Sequence, residues 1–308
     1  MKQSLAMPHM LTEAKRQSRG RHLALEILLF CAVFIVSQCI VSFPIAIVMV
    51  IAGSSQDDLL LLVQLFSTAI TTLLAILFCR FVEKRSLGTM GLTRRGLLRE
   101  YGMGMLIGMV LIAACVGICV LAGSLRLEVQ GFSIGIWILY LFGFLIQGMS
   151  EEVLCRGYMM VSVSRRHSLV LAVLTNSIAF GLLHIFNPGF GLLPLLNIVL
   201  FGILESVYVL KRGDLWGASA IHSIWNFMQG NVFGVQVSGM RIAASPLRAT
   251  ADPDTAWLNG GAFGLEGGVA ITAVLAVAIL LVLFFLPQKN FAIESNQDDT
   301  IDLPPAVI

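Results

Sequence analysis

The stretch GMSEEVLCRGYMM, residues 148–160, sets two adjacent carboxylates, Glu151 and Glu152, and the guanidinium of Arg156 inside a long apolar run. Ionisable groups at membrane depth cost about 2.5–3.5 kcal/mol each on insertion scales, so each needs a partner or a function. On a helix, Glu152 and Arg156 stand at i,i+4 on one face and can neutralise one another, as a structural salt bridge would. Glu151 is rotated by about 100° from Glu152 and is left without that partner. It calls for another polar group or a water cavity. His184 in AFGLLHIFNP and His222 in AIHSIWNFMQG lie in other apolar runs, and Asn226 follows His222 at i+4. At a rise of about 1.5 Å per residue, Glu151 lies about 21 Å from Arg165, His184 about 25 Å from His167 and His222 about 15 Å from Arg212. These depths are close enough for the three to share one buried cavity. A lone histidine is more often a hydrogen-bonded core residue than a catalyst. A Glu, a His and a His/Asn pair on three separate runs at matching depth are harder to explain as packing.

The chemistry these types suggest is water activation. A carboxylate bonded to a His can hold a water and take its proton. A His and an Asn amide one turn apart can donate to a developing oxyanion. Glu151, His184 and His222 are equally a candidate metal set, since His₂Glu holds zinc in known sites. No HExxH motif is present, so the residue types fit both a Zn²⁺ enzyme and a metal-free one.

The elements that must position these groups are membrane spans. Of 308 residues, 57% are hydrophobic and 12% charged, against about 25% charged in soluble domains. Eight segments reach the roughly 20 residues a span needs, near 23–52, 59–82, 100–123, 134–163, 168–187, 190–210, 215–234 and 267–287. The expected fold is an all-α polytopic membrane protein of about eight transmembrane helices. Lys and Arg concentrate in one alternating set of loops, which predicts a multi-pass plasma-membrane protein with both termini in the cytoplasm. The first apolar block is too long for a cleavable signal peptide. A net charge of +2, spread over cytoplasmic loops, gives no reason to expect nucleic acid. The six cysteines all fall in spans, without zinc-finger spacing, and read as small packing residues.

Three parts are expected: a basic cytoplasmic segment at 1–22, a membrane domain at 23–287 and a disordered acidic cytoplasmic tail at 288–308. The long outside loop, about 235–266, reads as turns from its Gly, Pro and Asp. Glu26 and Arg80 sit near span ends and are expected to snorkel to water or to form a structural pair. Glu205, about 9 Å from Lys211 along a helix, is expected to snorkel; a second acidic group near the cavity is the sharper alternative.

SEEVLCRGYM, FGLLH and HSIWN resemble the three motifs EExxxR, FxxxH and HxxxN of the CPBP family, the CAAX proteases and bacteriocin-processing (Abi) enzymes. The likeness extends through the spacer LLNIVLFGILESVYVLKRGDLWGASAIH to WNFMQGNVFGVQVSG and NGGAFGLEGG, covering a protease core at about 134–287. Cys155 stands where the family commonly has Phe, and Glu205 where a small residue is usual. The resemblance implies an eight-helix intramembrane endopeptidase acting on a membrane-associated protein or peptide. It implies Glu151 as the water-activating base with His184 beside it, His222 and Asn226 as oxyanion donors, and Glu152 with Arg156 as the supporting pair. Members are described both as metalloproteases and as metal-independent glutamate proteases. Two competing readings are a non-catalytic scaffold or bacteriocin-immunity protein and a transporter. The transporter would show repeated halves and discontinuous spans, and the sequence shows neither.

Overall fold

The computed structural model describes residues 7–52, 57–242 and 244–289. Nearly all of the expected acidic tail lies outside the described residues. In lipid no water can satisfy backbone groups, so each apolar run closes its hydrogen bonds internally as a helix. The helices are α1 (His9–Gln17), α2 (Leu23–Ala52), α3 (Asp57–Ser67), α4 (Ala69–Leu77), α5 (Leu97–Leu121), α6 (Ile134–Glu152), α7 (Val161–Ser164), α8 (Leu169–Leu182), α9 (Leu192–Arg212), α10 (Trp216–Phe227), α11 (Ala256–Asn259) and α12 (Val269–Phe285). Each expected span contains at least one of these. Among the described residues five helical segments are long and apolar enough to cross a membrane on their own, and α8 and α12 are shorter apolar helices. The chain is an all-α polytopic membrane protein.

Several details differ from expectation. The span expected at 168–187 stops as an α-helix at Leu182, followed by turns to Pro188. A residue before proline is pushed out of the α region, which favours that break. The expected uninterrupted helix at 134–163 instead changes to a π-helix at Val153–Met160 and returns to α only in α7. The long loop at about 235–266 is not all turns. Its Leu247–Ala251 strand, β2, pairs antiparallel with β1 (Leu125–Val129), with Glu128 opposite Arg248. The basic N-terminal segment contains α1, which buries Met10, Leu11 and Ala14 on one face.

Helix α10 is the interior element. Every residue from Gly217 to Phe227 is buried, so this helix is enclosed by its neighbours. Small residues let those neighbours close in, the packing device that substitutes for hydrophobic drive between helices in lipid. A Cβ on Gly104 of α5 would collide with the Gly217 carbonyl, and one on Gly148 of α6 with the Ser223 hydroxyl. Larger residues at either position would push α10 off its seat.

Glu26 does not snorkel. It is buried and belongs to an ion network at one end of the bundle. Glu83 accepts from Arg21 Nη1 at 2.8 Å, Arg85 Nε at 2.7 Å, Ser162 Oγ at 2.8 Å and Arg165. Glu26 accepts from Arg165 Nη2 at 3.2 Å and the Arg21 amide at 3.0 Å. Burial opposes the charge of Glu83, but Arg85, Arg165 and Ser162 outweigh it and hold that carboxyl below the usual range. At the same end Gln17 bonds Ser86, the Leu215 amide donates to the Gly91 carbonyl, and Lys289 meets Asp214 at 3.2 Å. The two ends of the described chain therefore reach one face. Glu205 does not snorkel either. It is fully buried, and neither oxygen has a hydrogen-bond partner.

Candidate active site

Glu151 and Glu152 close α6, just before the chain widens into its π segment. A π turn inserts an extra residue per hydrogen-bonded ring and is frequent at functional sites. Even so, Arg156 Nη1 reaches Glu152 Oε1 at 2.8 Å with both side chains fully buried. Arg156 Nη2 donates to the Gly202 carbonyl at 3.1 Å, and its guanidinium lies 4.6 Å from the Phe180 ring centroid. The pair is thus tied to α9 by a hydrogen bond and to α8 by a cation–π contact.

His222 on α10 lies between the two glutamates. Its Nδ1 is 2.9 Å from Glu152 Oε1, and its Nε2 is 3.6 Å from Glu151 Oε2. Phe180 and Phe201 stand edge-on to the imidazole, with centroids 5.7 and 5.3 Å away. The ring is held by one carboxylate and by two apolar walls.

Glu151 is not as isolated as the sequence suggested. Gln147, one turn earlier, donates Nε2 to Glu151 Oε1 at 2.6 Å, and its Oε1 accepts from Asn226 Nδ2 at 3.1 Å. Gln147 therefore couples Glu151 to Asn226. Sequence reasoning missed it, although an amide at i−4 from Glu151 in an apolar run was a usable signal. Glu151 Oε2 stays without a hydrogen-bond partner. His184 stands in the turns after α8, with Nδ1 2.9 Å from the Phe180 carbonyl. Among the described residues no hydrogen bond joins it to Glu151.

Glu151, His184, His222 and Asn226 line one cavity of about 180 Å³, together with Gln147. Apolar side chains of α2, α3 and α9, such as Phe34, Leu61 and Phe201, complete the wall. Glu152 and Arg156 lie behind it, against His222. Glu205 is not on the wall, but Glu152 and Arg156 are its electrostatic neighbours. Among the described residues no three His, Cys, Asp or Glu side chains are arranged to hold a metal ion. Glu151, His184 and His222 share the cavity without forming such a set, and His222 Nδ1 is engaged with Glu152.

A family model described as type II CAAX prenyl endopeptidase Rce1-like matches residues 133–228. No curated protein and no solved structure matches the chain. The matched segment contains all seven motif residues, from Glu151 to Asn226, and stops before the loop at about 235–266. Over residues 133–228 the chain therefore matches the CAAX-protease domain of a family of intramembrane endopeptidases.

Proposed function

We propose that this protein hydrolyses a peptide bond of a membrane-associated protein or peptide by a glutamate-activated water. The observation that carries this reading is Glu151 Oε2, an unpartnered carboxylate oxygen on the cavity wall, 3.6 Å from His222 Nε2. A water there has an acceptor for its proton. Gln147 fixes the other oxygen and leaves Oε2 as the base.

The step balances as follows. Water adds its oxygen to the scissile carbonyl carbon while Glu151 takes a proton from it. The oxyanion formed accepts hydrogen bonds from the Asn226 amide and from Nε2–H of His222, whose ring is held at Nδ1 by Glu152. Collapse breaks the C–N bond, and the leaving nitrogen takes the proton held by Glu151. His184, whose Nδ1–H donates to the Phe180 carbonyl, presents its other ring nitrogen as an acceptor on the cavity wall. Preorganised oxyanion donors contribute about 10²–10³ each in rate.

The apolar wall supports a lipid-embedded or lipid-attached segment as the substrate's anchor. The clustering of Lys and Arg at the end holding Arg85, Arg165 and Lys289 supports a plasma-membrane orientation with that face, and both termini, in the cytoplasm. The parts follow: residues 1–22 are a cytoplasmic segment, 23–287 the membrane domain and 288–308 a cytoplasmic tail. The direct test is incubation of the purified chain with a membrane-anchored peptide library, with the new termini read by mass spectrometry. Release of defined fragments supports the reading, and intact peptides throughout would refute it.

A further inference from the structure

Glu266 is a second carboxylate on the wall of the same cavity, and the reaction above gives it no part. It lies outside the segment that the family model matches, in the stretch NGGAFGLEGG. The turn that carries it is tightly fixed. Asn197 Nδ2 donates to the carbonyls of Glu266 and Gly268 at 2.8 and 2.9 Å. Gly264 takes φ +92°, and a Cβ there would collide with the Gln236 carbonyl. The carboxylate is 8% exposed, yet all its partners are neutral. Oε2 accepts from Gln229 Nε2 at 2.7 Å and from the Ser238 amide at 3.3 Å. Oε1 has only the Ser238 hydroxyl, at 3.5 Å.

Among the described residues no Lys or Arg makes a salt bridge to Glu266. A buried carboxylate normally has a cationic partner, and this one has a nearly unsatisfied oxygen beside a cavity. Ser238 adds an independent sign. It also lines the cavity and holds φ +47° without being glycine, a strain worth about 1–3 kcal/mol that tends to mark ligand clamps.

We propose that Glu266 is the recognition group of a substrate subsite for a cationic group, either a Lys or Arg side chain or the free N-terminal ammonium of the peptide. The proposal rests on the peptidase reading and deepens it. A charge-assisted bond to Oε1 completes the carboxylate's bonding. A neutral side chain at that place would leave the carboxylate uncompensated.

The test compares matched peptides carrying Lys, Arg, Gln or norleucine at each position flanking the cut bond, each with a free or an acetylated N-terminus. With the full-length protein, kcat/KM for the best cationic peptide should exceed that of its neutral counterpart by about 10- to 150-fold. In Glu266→Gln that ratio should fall to near one. The dependence on position or on acetylation identifies the side chain or the terminus as the source. Equal rates for charged and neutral peptides at every position and terminus would overturn the proposal. So would a full preference surviving in a folded Glu266→Gln protein. Should that variant fail to fold, n-butylammonium must inhibit the unmutated protein more strongly than butanol does, and equal inhibition refutes the subsite. Peptide binding to Glu151→Gln separates the two ideas. Absence of cleavage by the unmutated protein sinks the peptidase reading alone, whereas loss of charge preference in Kd sinks the subsite.

Discussion

His222 Nδ1 lies 2.9 Å from Oε1 of Glu152, the same oxygen that Arg156 Nη1 holds at 2.8 Å. One carboxylate oxygen thus orients the imidazole and neutralises the guanidinium. In this account Glu152 acts through His222. Glu152→Gln should lower kcat by about 10²- to 10⁴-fold, the range of an orienting carboxylate behind a catalytic His. KM should change little. A variant with normal kcat would show that His222 needs no orientation, and kcat measured beside KM on one substrate decides it.

Arg156 has a different role. Its removal leaves Glu152 buried beside Glu205, which already lacks partners. Breaking a buried pair costs about 3–5 kcal/mol, so Arg156→Ala should lower folded yield and Tm as well as activity. Thermal unfolding of purified protein checks this. An unchanged Tm with lost turnover would place Arg156 in the chemistry instead.

Gln147 holds Glu151 and Asn226 together. Gln147→Leu removes both hydrogen bonds at similar volume. Activity should drop about 10-fold or more, mostly in kcat, because the base and the oxyanion donor lose their fixed geometry. Steady-state kinetics showing only a raised KM would assign Gln147 to substrate binding.

Much of this site was legible in the sequence. The i,i+4 pair of Glu152 and Arg156, and the shared depth of Glu151, His184 and His222, follow from helical rise and the cost of charge in lipid. The π segment was not legible, since no local residue preference distinguishes an i→i+5 ring from the α-helix expected there. Glu26 forms a structural pair, one of its two expected outcomes, whereas Glu205 was misjudged. Snorkelling is inferred from distance along one helix, whereas burial depends on which helices pack over the side chain. Glu26 is covered by Arg165 and Arg21, and Glu205 lies against the Glu152–Arg156 pair. Glu266 was hidden because glycine-rich sequence announces a turn but not the direction in which the turn points.

Asp214, between α9 and α10, supplies a pH test outside the spans. Burial pushes its carboxyl up to about 6, against the opposing pull of Lys289. A raised carboxyl contributes stability that is complete below the unfolded value of about 3.9 and lost as pH rises through 6. Asp214→Asn stays neutral throughout. Its Tm should match that of the parent near pH 4 and exceed it at pH 7 to 8. Parallel Tm curves over pH 4 to 8 would contradict a raised Asp214.

The most direct measurement of the central claim is single-turnover cleavage of a membrane-anchored peptide by folded Glu151→Gln protein. The substitution is nearly isosteric, keeps an acceptor for the Gln147 amide and removes only the basic oxygen. The rate should fall by about 10²- to 10⁴-fold, the contribution of a general base, with Tm and peptide Kd close to those of the parent. Cleavage within a few-fold of the parent rate, in a variant of parental Tm, would contradict Glu151 as the base.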